Sequence, residues 1–145
     1  PKLTPNVTDV ASFARASEEA GADAVSLVNT FLAMAIDVER RVPKLSNVMG
    51  GLSGPAIRPI AARMVYECAR AVRIPVVGMG GSASAADVLE FLIAGATAVQ
   101  VGTASFVDPF IWPTLIDGVA DYLARHGMER VTDLVGSLAL PEDTR

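Results

Sequence analysis

Two glycine-bearing corners punctuate the chain. Gly80-Gly81 follows the apolar run 74–79, and Gly102-Thr103 follows the run 98–101, with 22 residues between the corners. A glycine has no Cβ, so backbone N–H groups beside it can close on an anion, and one strand–helix unit of spacing delivers both corners to the same end of a parallel sheet. A helix opening near Ser84 adds its positive dipole end there, which makes the place a candidate phosphate site. Tight turns alone are the other reading of the same glycines, and spacing does not say which phosphate is held. Lys2, Asn29 and Thr30 also stand just past or at apolar runs. The lysine is either a counter-charge for a site anion or a solvated surface ammonium. Asn29 and Thr30 suit hydrogen bonding to a planar polar ligand, or else they shape an Asx or ST turn.

These residues need a scaffold that gathers strand ends. Helical periodicity runs from Asp9 to Ala20, with Val10, Phe13, Ala14 and Ala20 as its apolar stripe, Thr8 as cap and Gly21 as stop. Ala24–Val28 reads as a strand buried on both faces. The segment 31–54 shows no sustained period and carries Gly50-Gly51-Leu52-Ser53-Gly54, the mark of a long functional loop. From Pro55 to Arg73 the residues Ile57, Ala61, Met64, Cys68 and Val72 recur at helical steps. Ile74–Met79 is the next strand, Ser84 with Asp87 suggests a capping box for a helix through Ala94, and Ala98–Val101 is a further strand. A last helix is expected from Pro113 to about His126, and the tail beyond Gly127 carries little signal.

Strand–helix alternation without a Gly-x-Gly-x-x-Gly after any strand predicts a parallel α/β sheet with crossover helices. The echo of Ala-Gly-Ala-Asp-Ala-Val at 20–25 in Ala-Gly-Ala-Thr-Ala-Val at 94–99 favours the repeating units of a (β/α)8 TIM barrel. Strands around Leu3, Val25, Val77 and Val99 make half of one, whereas a complete barrel takes ~250 residues. The chain also opens without Met, in what reads as a strand end. It is therefore expected to be a fragment, a single domain over residues 1–145 forming a C-terminal half-barrel.

Composition narrows the function classes. With 145 residues, 51% hydrophobic, 19% charged and a mean hydropathy of +0.40, the chain buries most of itself. A net charge of −4 and no cationic cluster disfavour nucleic acid. A single cysteine excludes an internal disulfide and a zinc cage, and no metal site is expected. No apolar run approaches bilayer length, so no membrane span is expected and the cytoplasm is the expected compartment. Cys68 falls on the helical stripe and reads as a core thiol, His126 as a helix C-terminal partner, and a Ser-His-Asp triad finds no support.

The stretch 50–61, continuing through Arg63-Met64-Val65-Tyr66 to Ile74–Gly81, resembles the dihydroorotate dehydrogenase family in its class 1B catalytic-subunit form. Lys2-Leu3-Thr4-Pro5-Asn6, Ser26–Thr30, Ala98–Thr103 and Val107–Phe110 carry the resemblance along nearly the whole chain. It implies an FMN flavoprotein, an oxidoreductase that converts (S)-dihydroorotate to orotate in pyrimidine biosynthesis. Lys2, Val28, Gly54, Gly80, Gly81, Gly102 and Thr103 would contact FMN, and Asn29 with Thr30 would hold the substrate. It also implies a homo-oligomer and a second subunit with FAD and a 2Fe-2S cluster passing electrons to NAD+. The family's catalytic cysteine has no match here, since Cys68 does not correspond to it, and is expected N-terminal to this chain. The isolated 145 residues are accordingly expected to bind FMN weakly and to turn over nothing. Two residues depart from the pattern: Ser82 stands where a branched apolar residue is usual, and Arg58 where Lys is common. The alternatives are a phosphate-binding TIM-barrel lyase or isomerase without redox chemistry, and a noncatalytic half-barrel that self-associates through its open edges.

Overall fold

A computed structural model describes residues 1–141. In chain order its first elements are β1 (Lys2–Leu3), α1 (Val10–Glu19), β2 (Val25–Leu27), β3 (Phe31–Met34), β4 (Ile36–Asp37), β5 (Val42–Pro43) and β6 (Met49–Leu52). A 3-10 turn at Pro55–Ile57 leads into α2 (Arg58–Ala71), followed by β7 (Val76–Met79), α3 (Ala85–Ala94), β8 (Ala98–Gln100), α4 (Thr103–Val107) and α5 (Ile111–Arg125).

The four short strands β1, β2, β7 and β8 pair as one parallel sheet in the order β1-β2-β7-β8. Neighbours in the sheet are joined by crossovers that each contain a helix, and α1, α2, α3 and α5 pack against one another in series. This is the strand order and layering of a stretch of (β/α)8 barrel, as the alternation predicts. Register explains which side chains go where. Leu3, Leu27, Gly78 and Val99 stand side by side, and Leu3, Leu27 and Gly78 are buried toward the helices. Side chains alternate along a strand, so the adjacent row, Lys2, Ser26, Val77 and Ala98, faces away from the helices, as do Met79 and Gln100 two residues further along.

The core lies between sheet and helices, with Val10, Ala14, Val25, Leu27, Ala61, Val65, Cys68 and Phe91 in one cluster. α1 buries Val10, Ala11 and Ala14, while Phe13 and Ala20 are exposed, so the stripe sits about one residue off the expected one. Its cap is Asp9, whose Oδ1 accepts from Ser12 N at 3.2 Å, and not Thr8. Adjacent residues both suited to capping leave a one-residue ambiguity that the turn geometry resolves. The Ser84–Asp87 capping box is present, and Gly95 closes α3 in the left-handed conformation at φ +117°.

Three parts of the chain depart from expectation. Residues 31–52 are two antiparallel ladders, β3 with β6 and β4 with β5, and not an irregular loop. A short helix, α4, precedes the last one, which starts at Ile111 before Pro113. The tail also contributes to packing: Leu134 is buried with Leu89 and Leu92 in a second cluster, and Gly136 N donates to Leu92 O at 3.0 Å. Among the described residues no helix is long and apolar enough to cross a membrane.

Candidate functional site

Parallel strands end at one edge of the sheet, and the residues just past those ends meet there. Lys2, Val28, Asn29, Thr30, Gly80, Gly81, Gly102 and Thr103 all line one cleft of about 490 Å³. An adjoining cleft shares Gly81, Gly102 and Thr103 and adds Gly54 and Ser82. Every residue singled out as a site candidate thus lies on one continuous depression. Its volume falls in the range of small-molecule sites.

Each wall has an identifiable support. Val28 N donates to Met79 O at 2.9 Å and Asn29 N to Leu3 O at 3.2 Å, so the segment leaving β2 stays tied to both neighbouring strands. The Leu27–Val28 peptide is cis. Asn6 braces the stretch that follows: its Nδ2 donates to Thr30 O at 3.1 Å and its Oδ1 accepts from Leu32 N at 2.8 Å. Sequence reasoning passed over Asn6, although an Asn right after Thr-Pro at a strand exit is a signal for such a bridge. Ser53 was passed over too; Thr103 Oγ1 donates to its Oγ at 2.9 Å, which links the β6 exit to the β8 exit.

The glycine corner is the tightest part. A Cβ on Gly81 would stand 2.5 Å from Gly54 O and 3.0 Å from Arg58 Cβ, and the φ of Gly81 is +83°. Gly80 is similar, with φ +136° and Ala61 Cβ at 2.8 Å from where its own Cβ would be. Gly102 differs: its φ is −113°, and a Cβ there would meet no protein atom within 4 Å. The protein itself therefore demands glycine at 80 and 81 but not at 102.

The corner also presents free donors. Among the described residues the backbone N–H groups of Gly81, Ser82, Thr103 and Ala104 donate to no protein acceptor. Ser82 is 4% exposed, and its Oγ is buried without a partner. A buried hydroxyl left unpaired costs about 1–3 kcal/mol, so a branched apolar residue would be cheaper there unless something accepts from it. Together these features make a concave corner of unpaired backbone donors, an arrangement that suits an anion, with no group of three or more metal-ligating side chains among the described residues.

Cys68 lies away from this depression, fully buried in the sheet–helix core. Burial pushes its thiol up, and the nearby Glu67 and Asp9 carboxylates push in the same direction, from 9.0 to about 11. A thiol whose folded pKa exceeds its unfolded one leaves stability unaffected below pH 9 and erodes it as pH rises from 9 to 11. Folded protein at pH 8 is expected to resist iodoacetamide, and its urea midpoint to fall between pH 9 and 11; rapid alkylation at pH 8 would contradict this placement. His126, as expected, stands at the α5 C-terminus, with Nδ1 2.8 Å from Tyr122 O.

The family model "Dihydroorotate dehydrogenase" matches residues 1–123. The chain is 60% identical over 139 residues to the dihydroorotate dehydrogenase B (NAD(+)) catalytic subunit of Porphyromonas gingivalis, covering 96% of this chain and 45% of that protein. It is 58% identical over 137 residues to the subunit of the same name from Trichlorobacter lovleyi, covering 94% of this chain and 45% of that protein. The chain thus spans a little under half the length of these relatives. A crystal structure of DHODH from Eimeria tenella in complex with ferulenol superposes with a TM-score of 0.79 at 24% identity, covering 94% of this chain and 37% of that one. At that identity the structural match speaks to the fold, and it agrees with the barrel architecture.

Proposed function

Since this chain belongs to the dihydroorotate dehydrogenase family, we propose that it forms the FMN- and substrate-binding half-barrel of a class 1B catalytic subunit. The whole protein would oxidise (S)-dihydroorotate to orotate in pyrimidine biosynthesis. One observation carries this reading: strand-end residues more than a hundred positions apart in sequence, from Lys2 to Thr103, converge on a single cleft that ends in a backbone anion cradle.

The residues present fit the cofactor. FMN needs a phosphate grip and a flat slot beside it. Gly81 holds the left-handed corner packed against Gly54 O, and the unpaired Ser82 hydroxyl and the N–H groups at 81, 82, 103 and 104 supply donors for the phosphate. Gly54, Gly80 and Gly102 complete that wall, and Val28 gives an apolar surface for the ring. Bound FMN would supply the hydride-accepting chemistry, which no side chain can offer. The protein's own part is to bind, orient and balance charge. Lys2 would set its ammonium against the negative charge that reduction adds, and Asn29 and Thr30 would hold the pyrimidine acid by hydrogen bonds. The reading assigns no proton-abstracting residue to this chain, because its one thiol is buried away from the cleft. Turnover is accordingly assigned to the full-length protein. The names of the relatives specify a catalytic subunit and NAD(+). On that ground the proposed electron path leads through a partner subunit carrying FAD and a 2Fe-2S cluster to NAD+.

The test is direct. The full-length gene product should purify yellow, release FMN on heating as identified by mass spectrometry, and lose its flavin absorbance when (S)-dihydroorotate is added without oxygen. A flavin-free protein, or a flavin indifferent to dihydroorotate, would reject the proposal and favour a phosphate-binding barrel without redox chemistry.

A further inference from the structure

The donors at the cradle share their turn with a carboxylate, and that arrangement raises an electrostatic question. Asp87 Oδ2 accepts from Ala83 N and Ser84 N, both at 2.9 Å, in the turn that opens α3. It therefore takes the two N–H groups next to Ser82 and sets a negative charge at the helix end where a phosphate would also sit. A carboxylate and a phosphate so close repel strongly in a partly buried site. The other Asp87 oxygen is paired with the Arg58 guanidinium, and the Asp87 side chain is only 14% exposed. Arg58 also lies 3.4 Å from Glu90, which is half-exposed and better screened by water.

Arg58 reaches the same turn from its other side. Its N and Cβ lie 3.1 and 3.0 Å from the position a Gly81 Cβ would take, at the first residue of α2. The one residue thus backs Gly81 with its main chain and holds Asp87 with its guanidinium, bracketing the segment 81–84. We propose that Arg58 is a positioning residue for the anion end of the cleft. It cancels the charge of Asp87 and holds that carboxylate on Ala83 and Ser84, which leaves the Gly81 and Ser82 donors for the phosphate of FMN. This rests on the flavin reading above, and a measurement that separates the phosphate from the ring tells the two apart.

Flavin-stripped full-length protein is titrated with FMN and with riboflavin, which has the ring without the phosphate, following flavin fluorescence. Arg58→Met is expected to lower FMN affinity about tenfold and change riboflavin affinity less than twofold. Adding Asp87→Asn in the same chain removes the uncompensated charge and is expected to bring FMN affinity back to within about threefold of wild type. Should Arg58→Met not fold, Arg58→Gln keeps a donor for Asp87 without the charge and carries the same selective loss. Equal losses for both ligands, no loss for either, or no recovery in the double variant would each overturn the role of Arg58. Wild-type protein that binds FMN no better than riboflavin would instead bring down the phosphate assignment itself, and this inference with it.

Discussion

Gly81→Ala is expected to destabilise the protein by about 2–4 kcal/mol and to weaken FMN binding at least about a hundredfold. The first cost is conformational, since a left-handed backbone at φ +83° is unfavourable for any residue with a Cβ. The second is steric and lies in the main chain. The new methyl would stand 2.5 Å from Gly54 O, and that carbonyl already accepts from Ile57 N at 3.1 Å to start the 3-10 turn before α2. A flexible side chain could swing aside, but here the turn and the cleft wall must move. Gly102→Ala is the matched control, because a Cβ there meets no protein atom within 4 Å at an ordinary φ of −113°. Its stability should be unchanged, so any lost FMN affinity would report the approach of the ligand alone. Chemical denaturation and fluorescence titration of both variants check this; a Gly81→Ala protein with wild-type stability and affinity would refute the cradle geometry.

Phe91→Ala should cost about 3–5 kcal/mol, a large part of the 5–15 kcal/mol that ordinarily separates folded from unfolded domains. Phe91 is fully buried on α3 and ranks first by volume among the fully buried side chains. Its ring presses on the backbone of the inner strand β7: the missing Cβ of Gly78 would lie 2.8 Å from Phe91 Cδ1. Aromatic ring and glycine are complementary halves of one contact, so removing the ring opens a cavity against β7 that no neighbouring side chain fills. Gly80 and Gly81 continue from that strand, and the loss should therefore appear in FMN affinity as well as in the urea midpoint. Phe91→Leu keeps most of the volume and is expected to cost under about 1.5 kcal/mol. A loss below 1 kcal/mol for Phe91→Ala would mean that α3 does not pack on β7 in this way.

The division between legible and hidden features follows from how far each signal travels along the chain. Four strands, three main crossovers, the Ser84–Asp87 capping box and the stop at Gly95 were readable because each is written in residues a few positions apart: period, cap, left-handed glycine. The lining of the cleft was readable for the same reason, since in a parallel sheet every strand ends at the same rim and a list of strand ends is a list of residues that meet there. Local rules failed where partners lie far apart. Phe31 pairs with Leu52 across a segment with no internal period, so the β3–β6 ladder exists only because the sheet brings its ends together. Local signals put the helix start one residue early, with Thr8 as cap, and the turn that lets Asp9 Oδ1 accept from Ser12 N is what sets it at Val10.

The sequence by itself determined the strand–helix alternation of the main sheet, its parallel sense and the family, because hydrophobic period, turn chemistry and contiguous motifs are properties of neighbouring residues. The tertiary structure alone decided that Asn6 braces Thr30, that Ser53 meets Thr103, and that Arg58 backs Gly81 while pairing with Asp87. Such contacts depend on distances across the fold, set by strand register and helix packing, and no local pattern encodes them.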